Sequence, residues 1–254
     1  MNMNAPTIAM PGRRRILTLA AGALAVALLL GGGYGIWYLF LRPPAPAAVG
    51  QTSLVLPSAA VASSQPLGSG GIDGTWNVDT SIGSFSDFSD SFVGYRVQEE
   101  LATIGGNVAV GRTPEVSGSL TIEGTTVTAA TVEADLTALQ SDDDRRDGQL
   151  RRQGIETSLY PTATFTLTSP IELGSVPADG TEIDVTASGQ LTLHGQTKDV
   201  QVQLKAKLSG SVIAMTGSLP ITFADYGISK PNSFAVLSIA DEGTMELQLF
   251  FTKA

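Results

Sequence analysis

Few side chains in this chain of 254 residues could carry out covalent chemistry. The sequence contains no cysteine, which excludes disulfides, thiolate metal sites and a cysteine nucleophile. His194 is the only histidine, and a hydrolytic triad or a zinc site needs several groups that converge with it. The run His-Gly-Gln-Thr that begins at His194 is typical of a hairpin turn. We therefore predict that His194 is a turn residue and that the protein is not an enzyme and has no catalytic residue.

Acidic residues occur in two clusters that point to other kinds of site. Asp142, Asp143 and Asp144 could bind calcium, but the ligand spacing of an EF-hand loop is absent. The same three residues suit the positive end of a helix, so we predict a helix start there and no metal site. The second cluster is the adjacent pair Glu99 and Glu100. Two carboxylates can act as acid and base, so an enzyme is the less favoured alternative.

The elements that must position these residues are mainly strands. From residue 73 onward apolar and polar residues alternate, which predicts strands with one buried face. Strands are predicted at 74–79, 91–98, 103–110, 118–124, 125–136, 162–168, 185–193 with a bend at Gly189, 200–208, 211–223 and 245–251. A sheet that is apolar on one face must close on itself or pack on another layer. Long strands at short spacing favour closure, so the predicted fold is an all-β antiparallel barrel.

One segment, residues 141–154, departs from alternation and predicts a short helix. Ser141 is a suitable N-cap, and Asp144 completes a pair that resembles a capping box. Gly154 can end the helix. Arg146 and Asp147 are expected to form a structural ion pair where the helix meets the barrel, and a ligand contact at the barrel mouth is the alternative.

The first 72 residues have a different character. Residues 16–41 carry no charge, and a helix of that length spans about 39 Å, enough to cross a hydrocarbon core of roughly 30 Å. Three arginines at 13–15 precede this run and only Arg42 follows, so the positive-inside rule places residues 1–15 in the cytoplasm. A cleaved signal peptide is the alternative, although its apolar region is usually shorter. We predict an uncleaved single-pass anchor in the cell membrane and a linker, 42–72, rich in Pro, Ala, Ser and Gly.

The charge of the predicted extracytoplasmic domain, residues 73–254, restricts its partners. This part holds all 24 acidic residues and 11 of the 15 Lys and Arg, so its net charge is −13. A negative field of that size repels phosphate backbones, so we predict no nucleic-acid partner. The sequence leaves the oligomeric state open.

Three segments together resemble a known family. They are RRDGQLRRQGIETSLYPTATFTLT (145–168), GQLTLHGQTKDVQVQLKA (189–206), and GSLPITFADYGISKP with IADEGTMELQLFF (217–231 and 239–251). In order and spacing they resemble the YceI family of lipid- or polyisoprenoid-binding domains across essentially all of residues 73–254. The resemblance implies a lipocalin-like barrel with an apolar channel for a long isoprenoid chain, in a protein of the cell envelope. The sequence departs from the family at 148–150, 152–155 and 223–227, so ligand contacts at those points are not transferred.

The inward-facing apolar positions and the resemblance together predict the ligand contacts. The predicted barrel lining comprises Tyr160, Phe165, Leu167, Leu191, Leu193, Val202, Leu204, Phe223, Leu247 and Leu249, with Arg146 and Asp147 at the barrel mouth. We expect a membrane-tethered binding protein for an apolar lipid, a polyisoprenoid chain, that uses no cofactor. The alternative is an envelope scaffold or stress-response protein with a solidly packed barrel. A hollow interior favours the first function and a filled interior favours the second.

Overall fold

A computed structural model describes residues 45–49, 71–102, 105–232 and 236–254. The chain divides into two compact units, Met1–Pro44 and Ala45–Ala254, and every described residue belongs to the second unit. That unit consists mainly of antiparallel strands. They are β1 (Gly74–Val78), β2 (Phe92–Leu101), β3 (Gly105–Thr113), β4 (Val116–Glu123), β5 (Thr126–Asp135), β6 (Gln140–Ser141), β7 (Thr162–Leu167), β8 (Ile171–Glu172), β9 (Glu182–Leu193), β10 (Gln196–Ser209), β11 (Val212–Thr222), β12 (Val236–Ile239) and β13 (Glu242–Lys253).

Eight of the described strands close into a barrel. Their order is β1, β4, β5, β7, β9, β10, β11 and β13, and β13 pairs back onto β1. Strand β13 is shared between two neighbours, because residues 251–253 pair with β1 and residues 244–248 pair with β2. From β2 the wall continues through β3 to β6, while β12 pairs with β2 and β8 pairs with β5. This topology confirms the predicted all-β antiparallel barrel.

A two-residue hairpin falls where the sequence predicts a turn. His194 and Gly195 form the two-residue connection between β9 and β10, and their φ angles are 51° and 70°. Two successive positive φ values are characteristic of a type I′ turn, whose twist matches that of the flanking strands. His194 is therefore a turn residue, as predicted.

The predicted bend at Gly189 is absent, because Gly189 lies within the continuous strand β9. A Cβ atom at this position would lie 2.4 Å from Cζ of the Phe165 ring and 2.4 Å from the carbonyl oxygen of Thr166. No side chain can be accommodated at such distances. The position is glycine because the Phe165 ring crosses the strand there, and the backbone does not need to turn.

The predicted helix is present but begins later than expected. Helix α1 (Asp144–Gln149) continues as a single π-helical turn, Leu150–Gly154. Its N-cap is Asp143, whose carboxylate accepts a hydrogen bond from the N–H of Arg145, so the prediction of Ser141 as the cap is wrong. Ser141 lies in β6, where its N–H and hydroxyl donate to the carboxylate of Asp147. Because that contact holds Ser141 in the sheet, the helix starts beyond it.

A cluster of buried side chains closes one end of the barrel. It joins Leu150 and Ile155 of the helical segment to Leu193, Ile221 and Tyr226. The helical segment therefore acts as a cover whose apolar side chains fill this end of the interior.

Within the described residues, no helix combines the length and the apolar character needed to cross a membrane. The predicted anchor, residues 16–41, lies outside the described residues. Of the predicted linker only 45–49 and 71–72 are described.

Candidate functional site

The barrel encloses a cavity with an apolar wall. Inward side chains from β2, β4, β5, β7, β9, β10, β11 and β13 line it. Among the described residues that line the cavity, only Lys207, Ser218 and Glu246 are polar. Such a wall offers contact to hydrocarbon and almost no hydrogen bonds, so it suits a ligand without polar groups along its length.

The size of the cavity limits the ligand that it can hold. Its volume is about 160 Å³. An apolar cavity of about 150 Å³ holds a ligand of the size of benzene. Without rearrangement, the interior therefore holds only a short part of a long hydrocarbon chain.

The cavity exists because several inward positions carry small side chains. An eight-stranded barrel is just wide enough for ordinary side chains to fill it. The lining, however, includes Ala130, Ala134, Ala163, Ala187 and Ala206. Inward alanines among larger neighbours leave the space open. Sequence reasoning used only the apolar character of the inward positions, and the alanines are the signal that it missed.

The structure places most of the predicted lining residues together on the cavity wall. Seven of them contact the cavity: Phe165, Leu167, Leu191, Val202, Leu204, Leu247 and Leu249. Leu193 and Phe223 lie instead in the cluster that closes the end of the barrel beside the helical segment. The ring of Tyr160 packs against the ring of His194, with 4.2 Å between the ring centroids. These three side chains support the end of the barrel and do not line the cavity.

The two predicted mouth residues are held by separate structural contacts. The Nη2 of Arg146 donates to Oε1 of Glu99 at 2.7 Å, and its Nη1 donates to Oδ1 of Asp142 at 2.5 Å. Burial alone would lower the pKa of Arg146, but these two carboxylates raise it above its ordinary value. The Asp147 carboxylate is bound by Ser141. The expected ion pair between Arg146 and Asp147 is thus replaced by other partners, and neither residue is on the cavity wall.

Tyr95 carries a buried polar group that sequence reasoning missed, and it packs in the cluster at the end of the barrel and not on the cavity wall. It lies two residues along β2 from Val93 and opposite Met245 of β13, and both of those neighbours line the cavity. Its hydroxyl is buried and has no hydrogen-bond partner in the described part of the chain. Burial raises the pKa of Tyr95, so the hydroxyl stays protonated and can donate one hydrogen bond. The sequence offers one signal, which is a tyrosine at an inward position of a strand.

His194 has structural partners at every side of its ring. Its Nδ1 lies 2.9 Å from the carbonyl oxygen of Tyr226, and its Nε2 lies 3.2 Å from Oε2 of Glu156. Tyr160 packs on its face. No group of three or more His, Asp or Glu side chains in the described ranges is arranged to hold a metal ion. The histidine therefore serves to fix the turn against the end of the barrel.

Comparison with known proteins bears on the family and the fold. Residues 76–251 match the family described as YceI-like domain. A polyisoprenoid-binding domain from Saccharophagus degradans, implicated in plant cell wall breakdown, is 22% identical with a TM-score of 0.53, over 71% of this chain and 99% of that chain. BcnA from Burkholderia cenocepacia is 20% identical with a TM-score of 0.47, over 62% of this chain and 95% of that chain. The YceI protein of Campylobacter jejuni is 15% identical with a TM-score of 0.47, over 57% and 84%. No curated protein matches the sequence.

Proposed function

Because this chain belongs to the YceI-like domain family, we propose that its barrel binds an apolar lipid chain, a polyisoprenoid, without converting it chemically. The observation that carries the proposal is the cavity between the barrel strands, whose wall is almost entirely apolar. The Saccharophagus degradans domain, which shares the fold, is described as polyisoprenoid-binding. The hollow interior favours this function over that of a scaffold with a solid core.

The energetics of burial are consistent with useful affinity. Each buried methylene contributes about 0.8 kcal/mol, so a farnesyl-sized chain of about 15 carbons contributes about 12 kcal/mol before costs when it is fully buried. Ordering the chain and losing translational freedom cost at least about 4 kcal/mol. A farnesyl-sized chain that is fully buried is therefore expected to bind in the micromolar range, and shorter chains more weakly.

Filling the cavity tests this function. Ala187 is buried on the cavity wall, and Ala187→Phe places six additional carbon atoms in the interior. We expect the full-length variant to take up much less of a fluorescent farnesyl probe than the wild type. Ala129→Phe is the matched control, because Ala129 is exposed on the outer face of β5. Equal uptake by folded Ala187→Phe and wild type, or a wild type that never takes up the probe, would support the scaffold alternative.

We also propose that residues 16–41 anchor the chain in the cell membrane with the barrel outside the cytoplasm. Support comes from the uncharged run and from the three arginines that precede it. The full-length chain is expected to stay in membrane fractions after alkaline carbonate washing. Recovery of a soluble mature form that starts after residue 45 would identify a cleaved signal peptide instead.

A further inference from the structure

Three charged side chains lie together on the outer face of the barrel wall where β2, β3 and β13 meet. Glu246 borders the cavity, but it alternates with Met245 and Leu247 along β13 and its carboxylate contacts Arg96 and Arg112, so its side chain points to the outer face. Its Oε1 accepts from Nε of Arg96 at 2.9 Å, and its Oε2 lies 3.4 Å from Nη2 of Arg112. Despite their position on the outside of a barrel, Glu246 is only 2% exposed and Arg112 only 3% exposed.

A short piece of the predicted linker, residues 45–49, contacts these charged side chains. The carbonyl oxygen of Pro46 accepts a hydrogen bond from Nη2 of Arg96 at 2.7 Å. The carbonyl oxygen of Ala47, the next residue, accepts from Nη2 of Arg112 at 3.1 Å. These contacts join positions that are 50 and 65 residues apart in the sequence. Two arginines from adjacent strands therefore hold two successive carbonyls of one extended segment.

The position of the Arg112 guanidinium is set by other partners. It lies 4.5 Å from the ring centroid of Phe88 and 4.2 Å from that of Phe92. Such packing over aromatic faces orients a guanidinium. Together with the carboxylate of Glu246, the two rings prepare Arg112 to donate toward the segment. Because the guanidinium is already oriented, less conformational entropy is lost when the segment binds.

The two arginines and segment 45–49 have complementary hydrogen-bonding groups. Guanidinium groups donate hydrogen bonds and cannot accept them, and the two arginines outnumber the single carboxylate. A segment with proline has fewer N–H donors than carbonyl acceptors, because proline has no N–H group. Proline also favours an extended backbone that has no internal hydrogen bonds and leaves its carbonyls available. The sequence at 45–49, Ala-Pro-Ala-Ala-Val, adds only small side chains that do not obstruct a main-chain contact.

We infer that Arg96, Arg112 and Glu246 form a docking site for an extended proline- and alanine-rich peptide, here named the carbonyl clamp. Its occupant is the chain's own segment 45–49. Glu246 is the positioning residue, since its carboxylate contacts both arginines. The linker between residues 42 and 72 is consequently not one uninterrupted tether, because its early part is bound to the barrel wall.

A spin label tests the clamp in the full-length protein. The chain has no cysteine, so Ala47→Cys provides a single attachment site, and the Ala47 side chain is exposed. We expect the nitroxide spectrum to be immobilised in the otherwise wild-type chain. Arg96→Met removes the shorter of the two carbonyl contacts and should shift the spectrum toward the mobile form. Arg152→Met is the matched control, because Arg152 is exposed on the helical segment, and it should leave the spectrum unchanged.

Proteolysis gives an independent readout of the same contact. Elastase has a small specificity pocket and can cleave after the small residues at 47–49. Loss of a charge-assisted hydrogen bond should raise the cleavage rate there by about tenfold in Arg96→Met and leave it unchanged in Arg152→Met. Arg96→Lys, which keeps the charge and a donor, should fall between Arg96→Met and wild type.

Two results would overturn the inference. One is a label at position 47 that is already mobile in the otherwise wild-type chain. The other is a label that stays equally immobile in folded Arg96→Met and in folded Arg96→Met/Arg112→Met, since another contact must then hold the segment. Circular dichroism establishes that each variant is folded. Arg96→Met decides the outcome if the double variant unfolds, because Arg96 is less buried than Arg112.

Discussion

Substitution of Asp90 by asparagine should make the protein more stable at neutral pH. Asp90 is only 4% exposed, and its Oδ1 has no hydrogen-bond partner within the described residues. Burial raises the pKa of Asp90 from its ordinary value of 3.8 to about 6. A hydrogen bond from its own backbone and the charge of Arg112 lower the pKa, and the charge of Asp87 raises it further. Burial prevails over these smaller effects, so the folded protein favours the protonated acid.

The direction of the pH dependence follows from this raised pKa. Between about pH 4 and pH 6 the folded protein binds more protons at Asp90 than the unfolded chain does. Asp90 therefore makes the free energy of unfolding decrease as the pH rises through this interval. A pKa difference of roughly two units corresponds to about 3 kcal/mol of lost stability at pH 7. Asp90→Asn cannot ionise, so it should recover up to about 3 kcal/mol at pH 7 and gain little at pH 4.

Urea unfolding followed by circular dichroism at pH 4, 5, 6 and 7 measures this effect. The advantage of Asp90→Asn over wild type should grow with pH and level off above pH 6. Asp199→Asn is the control, because Asp199 is exposed on β10, and its stability difference from wild type should be small. The reasoning fails if Asp90→Asn is no more stable than wild type at pH 7, or if its advantage is the same at every pH.

Four further substitutions test other parts of the structure. Glu246→Gln leaves the buried guanidinium of Arg112 and the partly buried guanidinium of Arg96 without their carboxylate and should lower the free energy of unfolding by about 3 kcal/mol, measured by urea titration. Gly189→Ala should cost at least about 2 kcal/mol, because its Cβ meets the Phe165 ring, and Phe165→Leu should recover part of that loss. Tyr95→Phe should leave the free energy of unfolding, measured by urea titration, within about 1 kcal/mol of wild type, because the hydroxyl has no hydrogen-bond partner in the described part of the chain. His194→Asn should keep the fold and the bound lipid, because Asn tolerates the positive φ of the turn, and lipid extraction with mass spectrometry measures its lipid content.

Local patterns predicted the strands and the direction in which their side chains point. Alternation works because successive side chains of a strand face opposite sides, so a period of two identifies the inward set whatever the rest of the chain does. The same local logic located the turn at His194, where glycine follows a residue that accepts a positive φ. It failed at the helix start, because Ser141 pairs with Gly111 of β3 and contacts Asp147, so it does not cap the helix.

Inward direction alone did not determine which side chains line the cavity. Leu191 and Leu193 are both inward residues of β9, yet only Leu191 borders the cavity, because the helical segment fills the interior beside Leu193. The alternation pattern is identical for a residue that packs against a cover and for one that faces empty space. The height of a residue along the barrel, which separates these cases, depends on the stagger of strands far apart in the sequence.

The sequence by itself determined the properties that depend on near neighbours along the chain: the strand periodicity, the tight turn, the negative charge of the domain and its apolar interior face. The tertiary structure decided the cavity, the burial of the Tyr95 hydroxyl and the carbonyl clamp. Arg96, Arg112 and Glu246 are outward residues of three strands, and a local pattern assigns such charges to solvent. They are covered because segment 45–49 packs on them from far along the chain. Burial depends on contacts between segments that are distant in the sequence, so it cannot be read from neighbouring residues alone.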